Sequence, residues 1–162
     1  WEYSYPDWPN AKLDMAIFRQ RPNESIRDCC PEHAIEVKKR WHGRNLGQQL
    51  AVWWDILRLL WFDKAAHRYV LILTFGPDDV PLDKDVQDLL EMRLGGECDP
   101  YTLKQVVEKV ITEAVQYRED YVERFTGVKE VHWEEFHTRL NGNKPGKVRI
   151  SLVEVFQRDR DS

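Results

Sequence analysis

Residues 33–75 read as strand, helix, strand, and that unit constrains the fold more than any other part of the chain. Residues 68–75 carry the unbroken apolar run Tyr69-Val70-Leu71-Ile72-Leu73, closed by Gly76-Pro77. An apolar run of that length, bounded by turn residues, is expected to be a strand buried on both faces. Upstream, Leu46, Leu50, Trp53, Leu57 and Trp61 recur at helical spacing over residues 46–62. Val52, Ile56, Leu59 and Leu60 add apolar surface on its other sides, so this helix is expected to be buried around much of its circumference. Gln48, Gln49, Asp55 and Arg58 are its polar exceptions. Residues 33–40 precede it as another strand. Two strands joined through a helix lie parallel in one sheet.

Residues 1–5 suit a first strand, with Trp1, Tyr3 and Tyr5 on one face. Pro6 and Pro9 make a turn, and residues 12–19 form a second strand. Residues 20–32 hold Pro22, Asn23, Asp28 and Pro31 and read as a long hairpin loop. In the second half, residues 82–93 form a short helix that stops near Gly95-Gly96. Asp99 and Pro100 suit the N-cap and first position of a long helix over residues 101–125. His132 and His137, read as helical, fall on different faces and are expected at the surface. Residues 147–157 alternate as a last strand. The chain thus reads as a single α/β domain over residues 1–162. Its core covers about residues 1–76, and residues 77–162 add helices and a strand.

The chain has 162 residues, 42% hydrophobic and 32% charged, which excludes a disordered chain and allows one proper core. Its seven tryptophans imply a substantial core, a stacking surface, or both. A net charge of -4 argues against general polyanion binding but leaves room for a local basic cluster. Cys29, Cys30 and Cys98 are an odd set, which points to a reducing, cytoplasmic setting. Cys29, Cys30 and His33 lack zinc-finger spacing. No segment has the length and flanks of a membrane span or signal peptide. There is no Gly-rich phosphate loop, and no Ser or Cys has an evident His-Asp partner.

The chemistry concentrates in two runs, Lys12-Leu13-Asp14-Met15-Ala16-Ile17-Phe18 and His33-Ala34-Ile35-Glu36-Val37-Lys38-Lys39. Side chains two apart on a strand share a face, so Glu36 and Lys38 project together, away from Ile35 and Val37. If the two strands pair, Asp14 sits beside Glu36. Adjacent carboxylates repel unless a cation lies between them, and hard oxygen ligands favour Mg²⁺ or Mn²⁺. The Val37 backbone carbonyl is a candidate third ligand. Lys38 could orient a metal-bound water or offset charge on a phosphate, a layout suited to phosphodiester hydrolysis. Lys39, Arg40, His42 and Arg44 are candidate contacts to a nucleic-acid backbone. Trp41, among them, suits a base-stacking role or a place in the core. The competing expectation is a solvated Glu36–Lys38 ion pair on an edge strand, worth little.

Asp14, then Glu36-x-Lys38 on the next strand, then a helix and an apolar strand, resembles the PD-(D/E)XK nuclease superfamily. The match runs from Trp1 to about Phe75. Gln49-Leu50-Ala51-Val52-Trp53 looks like the Gln-hydrophobic-x-x-Tyr motif of the RecB-like exonuclease branch, with Trp in place of Tyr and Gln48 as the adjacent alternative. Leu13 stands where the superfamily name has Pro. The chain starts almost at the first strand, so the first core helix is expected to be absent.

The resemblance implies a restriction-endonuclease-like mixed β-sheet flanked by helices, with a helical C-terminal elaboration. It implies a Mg²⁺- or Mn²⁺-dependent nuclease with Asp14 and Glu36 as metal ligands, Lys38 as the catalytic lysine and Gln49 as a helper. DNA is the expected substrate and RNA the alternative. A homodimer or larger nuclease assembly would fit, and no membrane partner is expected. The contrasting reading is a non-catalytic binding or scaffold domain on the same fold, or one part of a larger nuclease.

Overall fold

The computed structural model describes residues 3–5, 8–19, 31–43, 46–60, 65–91 and 125–157. A mixed five-stranded sheet organises them, flanked by helices. It contains β3 (Met15–Ile17), β4 (His33–Trp41), β5 (His67–Pro77), β6 (Phe125–Leu140) and β7 (Lys144–Gln157), in the order β3-β4-β5-β7-β6. A separate hairpin pairs β1 (Tyr3–Tyr5) with β2 (Trp8–Leu13). Helix α1 (Leu46–Leu60) joins β4 to β5, and the two strands are parallel over the whole length of β4, as a helical crossover requires. All other neighbours in the sheet are antiparallel. Helix α2 (Leu82–Leu90) follows β5.

The strand expected over residues 12–19 is interrupted at Asp14, which forms a bend between β2 and β3. Its carboxylate takes a backbone amide, and a short polar side chain that does so competes with regular strand pairing. The expected helix over residues 101–125 and Cys29, Cys30 and Cys98 lie outside the described residues, apart from Phe125, which opens β6.

The expectation of a helical C-terminal elaboration is corrected. Residues 125–157 form the β6–β7 hairpin, and His132 and His137 lie on a strand. Charged pairs such as Lys129-Glu130 and Glu134-Glu135 mask a segment rich in strand formers: Thr126, Val128, Val131, Trp133, Phe136 and Thr138. Pairing with β7 decides the outcome. The turn runs through Asn141, Gly142 and Asn143, with φ of 76° at Gly142 and 62° at Asn143. Gly and Asn are the residues that adopt the left-handed region at least cost.

Alternation sorts the sheet into two unlike faces. On the first, Ala34, Val70, Ile72, Val153 and Val155 meet Val52, Ile56, Leu59 and Leu60 of α1 and Leu89 of α2 in the core cluster. The Trp53 indole ties the two helices by donating to the Leu89 carbonyl at 3.0 Å. On the second face, Tyr69, Leu71, Leu73, Phe75, Val148, Ile150 and Leu152 are half-buried. Both described helices lie on the first face.

Candidate active site

The register of β3 on β4 pairs Met15 with Ile35, Ala16 with Ala34 and Ile17 with His33. One step further along, Asp14 falls beside Glu36. The Val37 amide donates to Asp14 Oδ2 at 2.8 Å, which pins the acid to the strand that carries Glu36 and Lys38. In an extended strand the N–H and C=O of one residue point to the same neighbour. The Val37 carbonyl therefore faces the Asp14 side of β4 as well.

Helix α1 runs back along the first face, and contacts from three of its residues set its alignment. The Trp41 amide donates to Gln48 Oε1 at 3.2 Å. The Lys38 ammonium lies 2.8 Å from Asp55 Oδ2. The Arg58 guanidinium donates to Glu36 Oε1 at 3.0 Å and to the Lys12 carbonyl at 3.1 Å. From Gln48 to Asp55 the helix rises about 10 Å, which matches three residues of strand from Trp41 back to Lys38. Gln48 and Asp55 fall about 20° apart around the axis, and Arg58 about 60° further. One stripe of α1 thus tracks the charged side of β4.

The charges are distributed unevenly in depth. Glu36 is 2% exposed and Asp55 1%, whereas Asp14 is exposed and the Lys38 side chain keeps 31% of its surface. The Lys38–Asp55 contact is an ion pair by distance, but its angles fall outside hydrogen-bond geometry. Burial pushes the Asp55 carboxyl above its ordinary value, Lys38 and Arg58 pull it back down, and Asp14 adds a smaller push upward. Asp14 and Asp55 thus sense each other across the cluster. Asp14, Glu36, Asp55, Lys38 and Arg58 thus form one charge cluster linked through mid-β4 and α1.

Glu36 and Lys38 pair with α1, not with each other, and β4 lies between β3 and β5. The solvated edge-strand ion pair is therefore not what forms. Nor do Asp14 and Glu36 face each other as bare charges, since an amide holds one and Arg58 the other.

The other expected residues scatter. Gln49 is buried at 3%, with no hydrogen-bond partner for Oε1 among the described residues, and sits about 120° around α1 from Asp55. Gln48 holds the strand end. Arg40 is buried, 2.6 Å from Asp85 Oδ2 and 3.1 Å from the Gly43 carbonyl. It ties β4 to α2, so its guanidinium faces inward. Lys39 points to the opposite face from Lys38, with its ammonium 5.1 Å from the centre of the Phe75 ring. Trp41 packs beside Phe75, centroids 5.7 Å apart. His42 is exposed, and Arg44 lies outside the described residues. Asp55 and Arg58 join the cluster without having been singled out for it. Their signal was present in the sequence as polar residues on an otherwise apolar helix, but only the helix alignment connects them to β4.

Asp14, Glu36 and the Val37 carbonyl offer hard oxygen donors. That chemistry suits Mg²⁺ or Mn²⁺; Mg²⁺ commonly takes one or two carboxylates and completes its shell with water and phosphate oxygens. Among the described residues, no group of three or more His, Cys, Asp or Glu side chains forms a metal cage by itself. No described helix is long and apolar enough to cross a membrane. Comparison with protein-family models, curated proteins and solved structures finds no match for this chain.

Proposed function

We propose that this chain is a metal-dependent nuclease domain that hydrolyses phosphodiester bonds, with DNA as its substrate. The observation that carries the reading is the grouping of Asp14, Glu36 and Lys38 around the middle of β4, with the Val37 amide bonded to Asp14. Asp14 and Glu36, with the Val37 carbonyl, would hold Mg²⁺ or Mn²⁺. A bound divalent ion supplies Lewis acidity and a water of lowered pKa. Glu36 is held by Arg58, and Lys38 is half-exposed with its ammonium aimed from beneath the helix. Lys38 would stabilise charge developing on the phosphate oxygens. Asp14, at the exposed edge, would leave a path for the substrate backbone. Lys39 and His42, both exposed, are the candidate backbone contacts at the strand end.

A second reading has its own support. Every charge in the cluster has a protein partner, so the same residues could serve only to dock α1 on the sheet. The two readings separate in a cleavage assay on linear and circular DNA, double- and single-stranded, with Mg²⁺ or Mn²⁺. The nuclease reading predicts cutting by the wild type that EDTA and Glu36→Gln each abolish, with the variant still folded by circular dichroism. No cutting on any of these substrates, or cutting that survives both EDTA and Glu36→Gln, would contradict it.

A further inference from the structure

Among the described residues the Lys38 ammonium has one close carboxylate, Asp55, and the pair is unlike an ordinary surface bridge. The acid is almost wholly buried while the lysine remains partly open to solvent. Burying a carboxylate is costly, and a buried pair is often no more stabilising than two apolar residues of similar size. A leucine at position 55 would continue the apolar surface of Val52, Ile56 and Leu59. Packing alone therefore gives no reason for an acid there. Geometry gives one. Asp55 lies on the stripe of α1 that follows β4, one turn before Arg58, which holds Glu36. The two helix residues thus address the two strand residues in order.

We propose that Asp55 is a positioning residue for Lys38, fixing the ammonium on the Glu36 side of the sheet where the proposed hydrolysis occurs. This rests on the nuclease reading and deepens it. Lys38 has four rotatable bonds, and an untethered ammonium at a partly open site samples many directions. A buried carboxylate anchored on the helix above it removes most of that freedom before substrate arrives. Arg58 supports the arrangement from the other side, with Nη1 3.7 Å from Asp55 Oδ1 and Nη2 on Glu36.

The test compares wild type, Asp55→Asn and Asp55→Glu. The first readout is lysine-selective ¹H–¹⁵N NMR of the Lys38 ammonium, assigned with Lys38→Arg, and it needs no metal or DNA. The ammonium signal should be present in the wild type, lost in Asp55→Asn and partly restored in Asp55→Glu. The second readout is steady-state cleavage, in which Asp55→Asn should lower kcat by about 10- to 100-fold and leave KM nearly unchanged. Mn²⁺ affinity should be retained. A wild type that cuts while Asp55→Asn leaves the Lys38 signal in place overturns the positioning role and spares the nuclease reading. Loss of the signal with unchanged kcat also overturns it. A wild type that cuts nothing overturns the nuclease reading, and the proposed role at a hydrolytic site falls with it.

Discussion

The two faces of the central sheet are built from the same strands and handle charge in opposite ways. The face beneath α1 and α2 buries Glu36, Arg40 and Arg149 among apolar side chains, each with a counter-charge: Arg58, Asp85, and Glu130 with Glu135. The other face carries half-buried apolar and aromatic residues, with His33 stacked on His67 at 5.1 Å and Lys39 over Phe75. Lys38 and Lys39 make the contrast concrete. They are neighbours in sequence, yet one meets a buried carboxylate and the other an aromatic ring. Strand alternation alone separates them. A run of basic residues on a strand is therefore split between two faces, and only Lys38 of this pair shares the face that carries Glu36.

The comparison is most easily broken by activity. Lys38→Ala should reduce cleavage by about 100-fold or more while sparing Mn²⁺ binding. Lys39→Ala should leave turnover at saturating DNA intact and weaken binding, lowering the salt slope by about one. Equal loss of kcat in both variants would erase the distinction between the faces.

Stability offers the next contrast. Asp85→Ala strands the buried Arg40 guanidinium and also removes the bond from the Gly43 amide to Asp85 Oδ1. Urea unfolding should show a loss of about 3–5 kcal/mol. Ile72 and Leu73 then compare the faces directly. Ile72 is fully buried, so Ile72→Ala should cost about 2–5 kcal/mol, and half-buried Leu73→Ala distinctly less. Equal costs would mean that the second face is as well covered as the first.

The smallest effect is a pH dependence. Burial raises the Asp55 carboxyl above its ordinary value, Lys38 and Arg58 only partly opposing it. A folded-state value above the unfolded one means that the native protein holds this proton more tightly. Its stabilising contribution is complete below the ordinary carboxylate value and is lost as pH rises through the raised one. Asp55→Asn removes that dependence. The variant's stability relative to wild type should therefore be more favourable near pH 7 than near pH 4, read from paired thermal melts.

Local pattern carried much of this fold. The apolar run in β5, the helical spacing in α1 and the crossover between them made the parallel β4–β5 pair legible. The placement of Asp14 beside Glu36 was legible only on the condition that their two runs pair, which the β3–β4 register meets. Long-range choices were not legible. The strand character of residues 125–140 depends on pairing with β7, because their charged pairs look helical in isolation. Arg40 reads as one of four candidate backbone contacts until Asp85, which is 45 residues away, draws it inward. Asp55 and Arg58 read as stray polar residues on a buried helix. Their significance depends on which stripe of α1 meets β4, and that is set by packing over the whole core.

The central claim, that Asp14 and Glu36 form a metal site on the covered face, is tested most directly by calorimetric titration of Mn²⁺ into the wild type, Asp14→Asn and Glu36→Gln. The account predicts saturable binding in the wild type that each substitution abolishes or greatly weakens while the fold is kept. Binding that persists unchanged in both variants, or a wild type that takes up no Mn²⁺ with or without DNA, would contradict it.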